Sequence, residues 1–365
     1  MEIVIPLPFK NPNMNQTNKK RTMSDNFEYY YADALRRVLD NGVLCENRTG
    51  IDTKSVQHQC FVIKDAVFNF PVLRGKKVYP YMALKELIWM LLGRNDVKWL
   101  NEHGVKYWNE WAKEDGTIGK SYGYQYRNFG GVDQVKNLMN DIINNPMSRR
   151  HIVNLWNAAD LDEMALPPCQ YDYHFCCIPN MLSPGDYFVD LHAHMRSADS
   201  FLGVPYNFMF SSFFLGLVCC YATYYCERKE MWNTKLADGK MFTRCYTPRN
   251  VYTICDDFHM YVNHEEAVRQ YLANVEENKD GIIDTTTSVH FEFCNLKNDY
   301  PKDAWGEDPN LDIFLHVLED DLKKHRIIDV GRPFRESAED PDGISCSEVV
   351  ENPDVYGPIK AEVAV

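Results

Sequence analysis

The chain has 365 residues, of which 45% are hydrophobic and 13% aromatic, enough apolar material for the core of a large globular protein. Its formal net charge of -13 at pH 7 argues against general binding to DNA or RNA, because such proteins need a basic surface to displace counterions. The negative total does not exclude a phosphorylated small molecule, since a local cluster of arginines is enough to bind one phosphate.

The cysteines and the N-terminus indicate the cellular setting. The 12 cysteines include no CxxC spacing, so we expect free thiols rather than a metal site or a disulfide framework. The first residues carry only short apolar patches interrupted by prolines, which predicts neither a signal peptide nor a membrane span. We therefore expect a cytoplasmic protein, in the host cytoplasm if the protein is viral.

The first half of the chain is predicted to be mainly helical. Residues 1–26 are predicted to be a poorly ordered polar tail, and residues 27–365 a single domain. Hydrophobic periodicity and stop signals predict helices over Phe27–Leu39, Met82–Leu92 and Val132–Ile143, and a strand over Gln57–Ile63.

The second half contains strands around one long apolar segment. Strands are predicted over Ile152–Trp156, Tyr171–Ile178 and Tyr187–Met195. The apolar run Asn207–Tyr225 is interpreted as a buried core helix rather than a membrane span. Because helices and strands mix without a regular βαβ rhythm, we expect an α+β fold with a mixed, mainly antiparallel sheet and flanking helices. The acidic stretch around 270–350 is predicted to be insertion and loop.

Cys169 is the first candidate for chemistry. It follows Leu166-Pro167-Pro168, and the two prolines restrict the backbone just before a predicted strand. A catalytic thiol needs nearby cations to favour the thiolate, and arginines stand at three places along the chain, Arg48, Arg149-Arg150 and Arg196. The alternative is an inert buried cysteine and solvated arginines.

Two polar residues stand in apolar surroundings. Glu86 has only apolar neighbours three and four residues away on its predicted helix, so it is either desolvated with a raised pKa or at the edge of the stripe. Asn207 stands at the head of the predicted core helix, where its amide could cap the helix or bind the edge of a base.

These pieces occur in an order that resembles thymidylate synthases and the related pyrimidine nucleotide hydroxymethylases. The resemblance runs from about Phe27 to Leu272 and returns at Pro358–Val365. The motifs that carry it are NRTG (47–50), KELIWMLLG (85–93), HGVKYWNEWA (103–112), SYGYQYR (121–127), MSRRHIVNLWN (147–157), LPPC (166–169), MRSADSFLGVPYN (195–207) and HMYVNH (259–264).

The resemblance implies a role for each matching residue. Cys169 attacks C6 of the uracil ring of dUMP, Glu86 orders water and moves protons, and Tyr122 assists proton removal from C5. Asn207 binds the pyrimidine, with Asp199 also in the catalytic set and Gln170 beside the substrate. The nucleotide phosphate is bound by Arg48, Arg196 and Ser197, and by Arg149 and Arg150 from the partner subunit of a homodimer. His259 and Tyr261 bind the deoxyribose.

The same resemblance implies 5,10-methylenetetrahydrofolate as cosubstrate and no metal. The residues that it assigns to the folate are Trp108, Trp111, Leu166, Asp199, Leu202, Gly203, Tyr206 and the C-terminal Val365, which closes over the bound pair.

Two departures from the synthases bear on the product. Gln170 stands where the synthases have His after the nucleophile, and Tyr206 stands where they have Phe. Both replacements offer polar groups able to hold a water. We therefore expect a dUMP hydroxymethylase; the alternatives are a thymidylate synthase that forms dTMP and dihydrofolate, a dCMP hydroxymethylase, and a non-catalytic nucleotide- or folate-binding module.

Overall fold

The computed structural model describes residues 26–67, 69–229, 231–235, 241–278, 289–291, 310–324, 328–330, 359 and 361. The predicted N-terminal tail, except Asn26, and Val365 lie outside these residues.

The described strands form one central sheet and two short pairs. In chain order they are β1 Val43–Cys45, β2 Thr53–Ile63, β3 Ile152–Asn154, β4 Gln170–Pro179, β5 Tyr187–Met195, β6 Ala198–Asp199, β7 Trp232–Lys235, β8 Met241–Thr243, β9 Tyr246–Tyr261, β10 Val289–Phe291 and β11 Ile328–Val330. The central sheet has the order β1-β2-β9-β5-β4-β3, and β6 also pairs with β9. The pairs β7-β8 and β10-β11 lie apart from it.

The central sheet is mixed. Strands β5 and β6 run parallel to β9, whereas the other pairings in this sheet are antiparallel. This arrangement, together with the helices that flank it, confirms the predicted α+β fold with a mainly antiparallel sheet.

Eight α-helices surround the sheet within the described part of the chain. They are α1 Phe27–Asn41, α2 Pro80–Leu91, α3 Val97–Glu102, α4 Tyr122–Asn128, α5 Gln134–Asn144, α6 Gly203–Arg228, α7 Glu265–Glu277 and α8 Leu311–Lys324. Helices α1 and α6 pack on the same sheet, α1 on β2 and β9 and α6 on β5 and β9. Apolar side chains such as Phe61, Phe175 and Leu191 fill the space between them.

Helix α6 is the buried core helix that the sequence predicts. By length and composition it could cross a membrane, but 78% of its most apolar window is buried inside the protein, as expected of a core helix. It begins at Gly203, four residues before Asn207, so Asn207 lies in the second turn. The interpretation of Asn207 as a helix cap is therefore wrong.

Part of the acidic region around 270–350 differs from the predicted loop. Residues 311–324 form helix α8, which contacts α2 and buries Leu311, Phe314 and Leu315 in the same core as the rest of the chain. The acidic composition of the region made a helix difficult to predict. A helix needs apolar residues on only one face, so it can form within a stretch that is acidic on average.

Candidate active site

The backbone of Cys169 is held from two sides just before β4. Its N–H donates to the hydroxyl of Tyr122 at 2.8 Å, and its carbonyl accepts from the backbone N–H of Arg196 at 2.9 Å. The guanidinium of Arg196 also donates to the carbonyls of Pro168 at 2.9 Å and Pro167 at 3.0 Å. The thiol is therefore positioned by contacts to the backbone of Cys169 and of the two prolines before it, and these contacts do not involve the sulfur.

The thiol of Cys169 is half-buried among opposing charges. Burial raises its pKa, and the negative charge of Asp199 adds to this. The positive charges of Arg196 and Arg48 and a hydrogen bond from Tyr122 lower the pKa. Tyr122 is itself buried, which raises the pKa of its phenol well above the ordinary value, so the hydroxyl keeps its proton at neutral pH. Tyr122 is thus available as a donor to a thiolate and not as an anionic base.

Glu86 lies on α2 with each carboxylate oxygen bound to a different aromatic donor. Nε1 of Trp108 donates to Oε1 at 2.7 Å, and the hydroxyl of Tyr107 donates to Oε2 at 2.9 Å. Burial raises the pKa of Glu86 to about 7, and the two hydrogen bonds oppose that rise. Of the two alternatives left by the sequence, the desolvated carboxyl is the correct one. A carboxyl with a pKa near 7 is suited to both giving and taking a proton at neutral pH.

The residues assigned to the sugar lie at the end of β9 next to β6. Asp199 pairs with His259 in the sheet register, and the N–H of Ser200 donates to the carbonyl of His259 at 2.8 Å. Burial raises the pKa of Tyr261, Asp199 adds to the rise, and Arg48 opposes it. Tyr261 and Cys169 therefore share the influence of the same two charged groups, and the structure brings the predicted sugar and nucleophile residues together.

Asn207 lies close to Asp199 across Gly203. A Cβ added to Gly203 would lie 3.6 Å from both Oδ1 of Asn207 and Cβ of Asp199. Oδ1 of Asp199 accepts from the backbone N–H groups of Phe201 and Leu202, at 3.1 Å and 3.2 Å. Within the described residues the side-chain amide of Asn207 has no hydrogen-bond partner, so both its donor and its acceptor remain available.

The residues assigned to the folate form an aromatic wall beside Glu86. The ring of Trp108 lies 5.7 Å from that of Trp111 and 5.6 Å from that of Tyr122. Nε1 of Trp111 is buried without a hydrogen-bond partner among the described residues. The carbonyl of Leu166 accepts from Ser121 at 2.8 Å, which joins this wall to the loop before Cys169. Clustered aromatic rings in edge-to-face contact and an unpaired indole donor suit a flat, polar-edged ligand such as a pterin, so the residues present fit a reduced folate.

The two residues that depart from the synthases have different surroundings. Gln170 is buried, and its Nε2 donates to the carbonyls of Asp172 at 2.9 Å and His194 at 3.0 Å. Its Oε1 has no donor among the described residues. Burial raises the pKa of Tyr206, and a hydrogen bond from the Tyr79 backbone opposes this, so the Tyr206 hydroxyl is already engaged.

Arg149 and Arg150 are exposed and distant from Cys169 of the same chain. They precede β3, whose residue Ile152 pairs with His174 on β4. Since β4 starts next to Cys169 and rises by about 3.3 Å per residue, the backbone of Arg150 lies roughly 20 Å from the thiol. The structure thus gathers Arg48 and Arg196 around Cys169 but not Arg149 and Arg150.

Two residues near the site were not singled out from the sequence. Tyr107 stands inside a matching motif, but nothing in the sequence indicates that its hydroxyl reaches Glu86. Lys76 belongs to the basic run Arg74-Gly75-Lys76-Lys77, yet its side chain is buried, with Nζ 3.7 Å from the ring centroid of Phe201. Burial lowers its pKa to about 8, against the opposing effect of Asp199.

The site combines a thiol near two arginines, a carboxyl with a pKa near 7 and a cluster of aromatic side chains. This combination is typical of an enzyme that forms a covalent intermediate with a small substrate. A family model described as thymidylate synthase matches residues 29–234, more than half of the chain. The chain therefore belongs to the thymidylate synthase family, whose enzymes transfer a one-carbon unit from methylenetetrahydrofolate to C5 of dUMP.

Proposed function

We propose that the protein is a dUMP hydroxymethylase, which forms 5-hydroxymethyl-dUMP and regenerates tetrahydrofolate. Cys169 adds to C6 of the uracil ring and makes C5 nucleophilic, which divides one difficult step into two easier ones. C5 then bonds to the one-carbon unit of the folate. Loss of the C5 proton and cleavage of the bond from that carbon to the folate nitrogen release tetrahydrofolate and leave an exocyclic methylene on C5. Attack by water on that methylene gives the hydroxymethyl group, whereas a hydride from the tetrahydrofolate gives the methyl group of dTMP and dihydrofolate, and in both cases elimination of the Cys169 thiolate from C6 frees the product.

The observation that carries the choice of water is the unpaired Oε1 of buried Gln170. A buried amide oxygen without a donor is costly, and an ordered water is the usual partner that resolves the cost. Because Nε2 of Gln170 is fixed by two backbone carbonyls, Oε1 is the end of the amide that remains to hold a water. The Tyr206 hydroxyl, engaged with the Tyr79 backbone, supports the proposal less than its residue type suggests.

Thymidylate synthase activity remains the alternative, and one observation favours it. Trp108, which the resemblance assigns to the folate, is held rigidly by its hydrogen bond to Glu86. A site that excludes water around a fixed indole suppresses attack by water.

Product analysis distinguishes the two reactions. The purified protein is incubated with dUMP and methylenetetrahydrofolate, and the nucleotide and the folate are identified by mass spectrometry. We expect 5-hydroxymethyl-dUMP and tetrahydrofolate; dTMP with an equal amount of dihydrofolate would overturn the proposal in favour of a synthase. The matched variant Gln170→His restores the residue of the synthases and should increase the fraction of dTMP. An unchanged product ratio in that variant would show that Gln170 does not determine the product.

We further propose that the active protein is a homodimer in which Arg149 and Arg150 bind the phosphate in the partner's site. The distance of roughly 20 Å to Cys169 of the same chain supports this, because an arginine side chain spans only a fraction of it. The sheet face opposite α1 and α6 supports it as well: Val62 is 42% and Ile152 50% exposed there, beside half-buried Tyr252 and Ile254. A second copy packed on this face would cover its apolar side chains.

A further inference from the structure

Tyr107 offers a contact to the reaction centre that the resemblance does not assign. It opens a 3₁₀ turn, Tyr107–Trp111, and the next residue along that turn is Trp108. Consecutive residues of such a turn point about 120° apart, so the two aromatic donors approach the carboxylate of Glu86 from different sides. Each donor has its own oxygen, Oε2 for Tyr107 and Oε1 for Trp108.

The two donors respond differently when Glu86 takes up a proton. An indole N–H can only donate, so Trp108 always needs an unprotonated oxygen opposite it. A phenol hydroxyl can rotate and either donate or accept. The proton of a neutral Glu86 therefore belongs on Oε2, where the hydroxyl of Tyr107 can turn and accept it.

The surroundings of Tyr107 keep its own proton in place. Burial raises the pKa of its phenol well above the ordinary value, and the nearby charge of Glu86 raises it further. The ring of Tyr107 lies 6.3 Å from that of Tyr206, the residue next to Asn207. Tyr107 thus contacts the carboxyl through its hydroxyl and, through its ring, the helix that carries the proposed base-binding amide.

We propose that Tyr107 is a positioning residue that keeps Glu86 hydrogen-bonded, in one orientation and with its proton on Oε2, through both protonation states of the reaction. The inference rests on the proposed role of Glu86 in moving protons, but it does not depend on whether water or hydride attacks the methylene. Without the hydroxyl, the ionised carboxylate loses one donor, and the neutral acid loses its acceptor.

The test uses release of tritium from [5-³H]dUMP in the presence of methylenetetrahydrofolate, because any substitution at C5 breaks that bond. In Tyr107→Phe we expect release to slow by about 10-fold or more, within the range that a positioned acid or base supplies. The limb of the pH–rate profile that belongs to Glu86 should move upward by about one pH unit, because the hydrogen bond that Tyr107 makes to the charged form is stronger than the one it makes to the neutral form, and both are removed. The KM for dUMP should stay within about twofold of that of the unmutated protein, since Tyr107 binds neither phosphate nor base.

Two comparisons separate positioning from a general loss of structure. Tyr225→Phe removes a hydroxyl at the far end of α6 and should leave rate and profile unchanged. In a Glu86→Gln background, Tyr107→Phe should add little further loss, because the amide has no proton to relocate. A Tyr107→Phe profile that superimposes on that of the unmutated protein, or an equal loss in both backgrounds, would overturn the inference. Absence of tritium release from the unmutated protein would instead contradict the proposed function.

Discussion

Arg196 donates from Nε to the carbonyl of Pro168 at 2.9 Å and so connects the arginine proposed to bind the phosphate to the residue before Cys169, the proposed nucleophile. The same guanidinium lies 5.2 Å from the ring centroid of Trp156, which limits its freedom on the other side. Two of its donors are used on backbone carbonyls, and the remaining N–H groups are left for a phosphate. One side chain therefore helps to place Cys169 and, under the proposed function, also binds the nucleotide phosphate.

Cys169→Ala should lower kcat by about 1000-fold or more. Binding of dUMP should stay measurable, because Arg196 and Tyr122 hold the loop through backbone atoms that the substitution leaves in place. Steady-state kinetics and calorimetric titration measure the two effects, with exposed Cys45→Ala as the control. In the unmutated protein, 5-fluoro-dUMP with methylenetetrahydrofolate should form a covalent adduct on Cys169. Finding the adduct on another cysteine by mass spectrometry would remove Cys169 from its role.

Asn207→Asp should shift the preference from dUMP to dCMP. An amide can donate to O4 and accept from N3–H of uracil, whereas a carboxylate suits the amino group and bare N3 of cytosine. The ratio of kcat/KM for dUMP to that for dCMP should change by a factor that corresponds to several kcal/mol, since a mismatched base leaves polar groups of the site unpaired. The control is Asn140→Asp on the exposed face of α5, which should leave the ratio unchanged. Comparable kcat/KM for both nucleotides in the unmutated protein would contradict dUMP as the preferred substrate.

Glu86→Gln should stabilise the fold at pH 8 and much less at pH 4.5. Burial raises the pKa of Glu86 from 4.5 to about 7, so between these values the folded protein keeps a proton that the unfolded chain has lost. Stability therefore falls as pH rises through this window, and above pH 7 the cost of the buried charge is about 3 kcal/mol. Thermal unfolding at both pH values measures the difference, with exposed Glu110→Gln as the control. The same variant should lose activity by about 100-fold or more, as expected for loss of a proton-transfer group.

Mixing two inactive proteins tests the shared site. A Cys169→Ala protein and an Arg149→Ala/Arg150→Ala protein, unfolded and refolded together, should regain up to about a quarter of full activity, because half of randomly paired dimers contain one complete site. Each variant refolded alone serves as the control. If the unmutated protein sediments as a monomer at concentrations where it is fully active, the shared site is ruled out.

The sequence predicted the bounds of a strand or helix well where its pattern of apolar residues extends from the first to the last residue of that element. The predicted bounds of β5, Tyr187–Met195, are those of the structure, because alternating apolar residues face one packed helix. The apolar run predicts a start of α6 at Asn207, four residues after its actual start at Gly203, because the first turn contains Gly203 and Pro205, and proline is tolerated in the first turn of a helix.

The sequence by itself determined the family, because collinear motifs such as LPPC and KELIWMLLG need no coordinates to be recognised, and it singled out Cys169 as the proposed nucleophile. Only the tertiary structure decided that Glu86 is a desolvated acid held by Tyr107 and Trp108, and that Arg150 lies far from Cys169 of its own chain. The reason is physical: a pKa depends on burial and on partners brought from distant parts of the chain, and sheet register sets distances that sequence order does not contain.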